Sequence, residues 1–230
     1  MNLSISDAKN EGREKGTNMA TTGPKIVNDT SENANARDQL IEAASQIMRD
    51  GDTIDLSLSE LSLRAGLNSA LVKYYFGNKN GLMLALLDRD MGNIVISLGA
   101  LVAKDMPPEE KLRLHIGKVI DTYYAFPYLN RLLMRTVRDS APVEAARIAD
   151  LYLRPIAKAY DDLISEGVKA GKFRKIDPQF FYFTVTGAAD RFYSSRLVLR
   201  HCYNQDDFNE NMRDNYRDHT IDLIMRGILV

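Results

Sequence analysis

Between Ser62 and Met83 the charged residues are Arg64, Lys73 and Lys79, and no acid interrupts them. Asp50, Asp52, Asp55 and Glu60 lie just upstream. The chain as a whole carries a formal net charge of -1, so any attraction for a polyanion has to come from a local surface of this kind. Ser57 and Asn68 stand where helices begin. A helix start presents unpaired N–H groups and the positive end of the dipole, which favour phosphate. Ser69, Ala70, Lys73 and Tyr74 follow at spacings that put them on one side of a short helix. Small, hydroxyl and cationic side chains on one helix face suit contacts to phosphates and base edges. This is binding chemistry, with no bond made or broken.

The remaining reactive side chains do not assemble into a catalytic or metal-binding pattern. His115, His201 and His219 are not at metal-ligand spacing, and His201 and Cys202 are adjacent and therefore diverge on a helix. No catalytic residue, metal or cofactor is expected, and the chain is not read as an enzyme. Cys202 is the one cysteine, which excludes an intrachain disulfide and a secreted disulfide scaffold. No apolar run is long enough for a membrane span, and the N-terminus lacks the apolar core of a signal peptide. The expected location is the cytoplasm, with no membrane partner.

These residues must be positioned by helices. Residues 1–35 are polar, with apolar residues too sparse to offset the entropy of ordering, and are expected to form a mobile tail. From Arg37 the apolar residues Leu40, Ile41, Ala44, Ile47 and Met48 recur on one helical face, and Gly51 stops that helix. Ser57 with Glu60 three residues later predicts a capping box. Leu58, Leu61 and Ala65 form the face of a short helix, Gly66 breaks it, Asn68 caps another to about Tyr75, and Asn78 caps the next. Further helices are expected over about 108–126, 129–138, 142–170 (with Pro155 as a kink), 178–203 and 206–227. No segment alternates as a strand does. The fold class is all-α, with about nine helices: a three-helix head over 36–82 and a larger helical domain over 83–230.

The two short helices around Gly66 match a helix-turn-helix, whose second helix enters the major groove. Leu58, Leu61, Ala65, Leu67, Val72 and Phe76 would pack the pair, with Phe76 in the core. The same pattern also describes three packed helices of an ordinary helical core. The residues alone leave both readings open.

Ala43-Ala44, the Ser57 cap, Ala65-Gly66-Leu67, and Tyr74-Tyr75-Phe76-Gly77-Asn78-Lys79 followed by Leu82 together resemble the N-terminal signature of the TetR family of transcriptional regulators. The resemblance covers about Arg37–Leu87 by motif, and the rest by helix number and length. It departs at Asn68, where the family often has serine, and at Lys73, a frequent tyrosine position. It departs again at Asn80-Gly81, where an acidic pair is usual. The resemblance implies that Ser57 and Lys79 contact phosphates. Ser69, Ala70, Lys73 and Tyr74 would face the groove, and Arg64 and Asn68 complete the expected DNA-binding set. It further implies a palindromic double-stranded operator, read by a homodimer whose heads lie roughly 34–36 Å apart.

The C-terminal part is rich in aromatic residues on amphipathic helices, including Tyr123, Tyr124, Phe126, Tyr128, Tyr152, Phe192 and Tyr193. They describe either a filled core or a core with a cavity. The family resemblance implies the cavity, occupied by a small-molecule effector. The expected lining is His115, Tyr123, Arg135, Tyr152 and Asp190. The last two helices carry broad apolar faces. Phe181, Val185, Ala188, Phe192, Tyr216, Ile221 and Ile224 are the expected dimer contacts. The leading expectation is a repressor released from its operator by a small apolar or amphipathic effector. Two alternatives are a DNA-binding regulator controlled by a protein partner, and a helical enzyme or carrier with a non-functional head.

Overall fold

The computed structural model describes residues 29–230, with side chains from Ala34 onward. Helix α1, Asp29–Asp50, begins ahead of the expected tail boundary at residue 35. The expected mobile tail therefore does not extend to residue 35, because 29–35 continue the helix of Arg37–Asp50. Residues 1–28 of that expectation lie outside the described residues. Leu40, Ile41, Ala44, Ile47 and Met48 are all buried, as their period requires.

Helix α2, Leu58–Ala65, closes on Gly66 in the left-handed conformation (φ 66°), which glycine adopts without strain. The capping box does not form: Ser57 Oγ lies 2.7 Å from Ser59 Oγ, and the cap bond is absent. A neighbouring hydroxyl has outcompeted the backbone for the serine. Helix α3, Ala70–Phe76, follows. The Asn68 side chain accepts from the Ala70 amide at 2.8 Å and holds the turn. Helix α4, Lys79–Val102, is capped by Asn78, whose side chain accepts from the Gly81 amide.

Gly81 explains one departure from the family pattern. A Cβ there would lie 2.0 Å from the Phe76 carbonyl oxygen. The end of α3 and the start of α4 meet too closely for any side chain.

The larger region comprises α5 (Pro108–Ala125), α6 (Leu129–Asp139), α7 (Pro142–Ile148), α8 (Arg154–Lys169), α9 (Pro178–Tyr193), α10 (Arg196–Tyr203) and α11 (Glu210–Ile228). Two expected helices are divided. Residues Ala149–Leu153 form a π-turn between α7 and α8. Pro155, which cannot donate a helical hydrogen bond, lies in the first turn of α8 just beyond it. At the α9–α10 break, the Ser194 and Ser195 hydroxyls both donate to the Arg191 carbonyl, bending the chain. Among the described residues there is no strand, only an isolated bridge between Phe173 and Leu229. No helix among them is long and apolar enough to cross a membrane.

One buried cluster runs from Leu40 and Leu61 through Leu82, Leu86 and Leu87 to Tyr128, Leu132 and Tyr152. The head therefore shares its core with α6 and the π-turn, and α4 belongs to both regions. A second cluster joins Leu112, Ile116, Tyr160, Phe181, Val185 and Met225.

Candidate nucleic-acid interface and internal cavity

Helix α3 buries Val72 and turns its other side to solvent. Ser69, Ala70, Lys73 and Tyr74 are exposed, Tyr74 to 71%. The face is short, uncovered by any other described residue, and mounted on a closely packed core. Phe76 packs against that core, and the Arg37 guanidinium lies 5.4 Å above its ring.

The charge pattern is narrower than the sequence implies. Arg64 pairs with Asp50 at 2.8 Å, so its charge is partly spent on the head itself. The hydrogen bond and charge of Arg135 hold the Asp55 carboxyl below its ordinary range, and half-buried Lys79 adds the least of the contributions. Lys73 is exposed and forms no ion pair among the described residues. Ser57 and Asn68 are exposed beside it at the starts of α2 and α3.

A cavity of about 240 Å³ lies among α4, α5, α6, α8 and α9. Its walls include Ile94, Leu98, Val119, Phe126, Leu133 and Ile156. His115 and Tyr123 line it. Arg135, Tyr152 and Asp190 do not, and those three expectations are corrected. Arg135 lies on the polar side of α6, away from Leu129 and Leu133, and pairs with Asp55 of the head at 2.8 Å. Tyr152 sits in the π-turn, which turns it toward the head, where its hydroxyl donates to the Asp88 carboxylate. Asp190 lies beside Tyr123 rather than in the wall, and burial together with the Asp190 charge holds the Tyr123 hydroxyl protonated. Aromatic content marks this region as a whole, but helix period alone cannot separate cavity wall from solid core.

A buried polar network joins the cavity to the head. Asp90 lines the cavity and accepts from Arg89 Nε at 2.7 Å and from Tyr128 Oη at 2.8 Å. Tyr128 Oη also lies 2.7 Å from Ser45 Oγ on α1, and Arg89 reaches Glu42 on the same helix at 2.9 Å. A readable signal existed for Asp90. It interrupts the stripe Leu82, Met83, Leu86, Leu87 and Met91, and a buried acid in such a register demands a partner.

The expected dimer faces are used inside the chain. Phe181, Val185 and Ile224 are buried in its own core, and Ile221 packs against the same cluster. Phe192 stacks on Tyr216 at 3.7 Å, and Tyr216 Oη donates to the Ala188 carbonyl. Helix α9 is apolar on more than one side, so periodicity did not single out the outward one. The outward side carries Phe180 (69% exposed) and Phe183 (61%), and α11 presents Leu223 (63%).

Among the described residues no group of three or more His, Cys, Asp or Glu could hold a metal ion. Comparison with known proteins gives a coherent picture. Residues 105–230 match the model of the tetracyclin repressor-like C-terminal domain. The HTH-type transcriptional regulator BetI 1 of Chromohalobacter salexigens is 32% identical over 101 residues, 44% of this chain. That match spans about half (48%) of the relative's length. The fatty acid metabolism regulator protein of Bacillus subtilis is 21% identical over 137 residues, 60% of this chain and 70% of that one. A TetR/AcrR-family regulator from Thermobifida fusca superposes with a TM-score of 0.63 at 20% identity, covering 84% of this chain and 98% of that one. FadR of Bacillus subtilis, solved with stearoyl-CoA, gives 0.59 at 18% identity, covering 82% and 97%. At those identities the likeness is one of fold.

Proposed function

This chain belongs to the TetR family, and from that premise we propose that it is a sequence-specific repressor released from a palindromic operator by a small effector. The observation that carries the reading is the uncovered face of α3, where Ser69, Ala70, Lys73 and Tyr74 stand exposed on a rigid core. Lys73 is the residue assigned to the groove, able to reach a guanine edge or a phosphate. Ser57, Asn68 and Lys79 flank it as phosphate contacts, and Arg64 serves chiefly through its tie to Asp50.

In this reading the head over 36–82 reads DNA and residues 83–230 sense the effector and dimerise. The outward sides of α9 and α11, with Phe180, Phe183 and Leu223, form the contact between two copies. The effector enters the cavity among α4, α5, α6, α8 and α9. FadR of Bacillus subtilis carries stearoyl-CoA. The cavity here, about 240 Å³, falls below the roughly 300–1,000 Å³ of most ligand pockets, which favours a smaller apolar or amphipathic molecule. An effector that prefers one arrangement of α4 and α6 shifts the population of head spacings.

Selection of binding sites from random duplex DNA tests the reading. The expected result is a two-fold symmetric site, bound by a dimer and held about tenfold more weakly by Lys73→Ala. A folded dimer that enriches no duplex sequence would instead support a helical carrier or enzyme.

A further inference from the structure

Two polar atoms at the cavity lack partners. His115 Nε2 and Tyr160 Oη are buried without a hydrogen bond. Both residues line the cavity, and their rings meet edge to face at 4.6 Å. Four other polar side chains along the walls have partners within the chain. Ser97 donates to the Asn93 carbonyl, Thr122 to the Lys118 carbonyl and Thr186 to the Tyr182 carbonyl. Asp90 accepts from both Arg89 and Tyr128. Unsatisfied buried polar atoms are rare because each carries its full desolvation cost. Two on touching side chains at one cavity point to something that completes them.

The charge around this pair narrows the choice. Burial pushes the His115 imidazole down to about 4, so it is neutral near pH 7. The charge of Asp90 is matched by Arg89, and Lys118 is exposed to solvent. The cavity therefore offers a ligand no buried unpaired charge. Tyr160 supplies an O–H donor, and neutral His115 supplies an N–H donor in its Nε2–H tautomer. A carbonyl oxygen, with two lone pairs, can accept from both. Size gives a further limit. A cavity of roughly 150 Å³ takes a benzene ring, so about 240 Å³ takes about ten non-hydrogen atoms.

We propose that the cavity binds a compact uncharged ligand whose apolar body packs on Ile94, Leu98, Val119 and Ile156 and whose carbonyl oxygen is held by Tyr160 Oη and His115 Nε2. This rests on the reading of the cavity as the effector site.

The test is calorimetric titration of the full chain near neutral pH with four probes of similar size: propiophenone, butylbenzene, phenylacetate and trimethylphenylammonium. The ketone is expected to bind about tenfold more tightly than butylbenzene. Tyr160→Phe and His115→Phe are each expected to remove about that tenfold preference while leaving butylbenzene unchanged. His115→Gln, which retains a donor, is expected to keep it. Melting temperatures confirm that the variants fold, and the ranking on the unaltered chain stands independently of them. Equal binding of ketone and hydrocarbon, tighter binding of the carboxylate or the ammonium ion, no binding of any probe, or a preference that survives in both Phe variants would each overturn the proposal. Release of selected operator DNA is measured separately. A ketone that binds through this pair but leaves DNA bound keeps the anchor and rejects the effector reading. Release by one of the other probes, with the ketone inert, rejects the anchor alone.

Discussion

The head and the C-terminal region treat polar groups in opposite ways. In the head, the residues assigned to recognition point outward from a core that is closely filled. Leu40, Leu61, Val72 and Leu82 lie beneath them, and the buried Ser45 hydroxyl is paired with Tyr128. In the C-terminal region, polar groups turn inward around a hollow, and His115 Nε2 and Tyr160 Oη are left unsatisfied. A surface that reads a long polyanion needs a rigid mount and can leave its donors to water until DNA arrives. A site for a small apolar molecule must exclude water, so its donors remain costly until the ligand arrives. The first design tolerates changes at its outer tips and not in its joints. The second is sensitive in its interior.

The contrast sets the order of expected effects. Gly81→Ala tests the joint, since its Cβ would meet the Phe76 carbonyl at 2.0 Å. It should cost about 4 kcal/mol, seen as a lower denaturation midpoint together with lost DNA binding. Unchanged stability would mean that the head is looser than its packing implies.

The next effect probes the hollow. His115 is depressed to about 4 in the folded chain from an ordinary 6.5, so between those values the unfolded chain binds more protons. Stability contributed by the neutral imidazole is present above pH 6.5 and lost as pH falls toward 4. Denaturation curves across that window should fall by about 3 kcal/mol more in the unaltered chain than in His115→Gln. Parallel curves would place water, rather than burial, around the imidazole.

Tyr128→Phe probes the link between the regions. It leaves Ser45 and one Asp90 oxygen without their partner, at an expected loss of about 2 kcal/mol by chemical denaturation. Lys73→Ala should leave stability alone, weaken operator binding about tenfold, and reduce the salt slope by about one ion. A change in melting temperature there would contradict an outward-facing tip. Arg135→Ala removes an exposed pair with Asp55, and should shift the melting temperature by no more than about 1 °C.

The same contrast governs what could be read from the residues. The head was legible because Gly66, Asn68 and Asn78 fix turns locally and the apolar period of α1 and α4 fixes a burial side. Its departures from expectation came from close neighbours: Ser59 captured the Ser57 hydroxyl, and Asp50 captured Arg64. The cavity was legible only in part. His115 stands in the apolar stripe of Leu112, Ile116 and Val119, which marks it as inward. Tyr160, by contrast, becomes special only because α5 and α9 pack across it. Arg135 and Tyr152 were misplaced because their directions depend on α6 and the π-turn meeting the head, which no local pattern encodes. On α9, Phe181 and Val185 turn into the chain's own core because several sides of the helix are apolar and tertiary packing chose among them.

The contact at Gly81 also sets a mechanical tolerance. With no gap between the end of α3 and the first turn of α4, the recognition helix has no free play against the rod that follows it. Helix α4 has 24 residues, a length of about 36 Å, and its far half forms a wall of the cavity. A tilt of about 5° about that far end carries the near end through about 3 Å, close to the roughly 3.4 Å step between neighbouring base pairs. On the proposed reading of α3 and the cavity, a small displacement at the cavity wall would thus arrive at the DNA as an error of about one base pair.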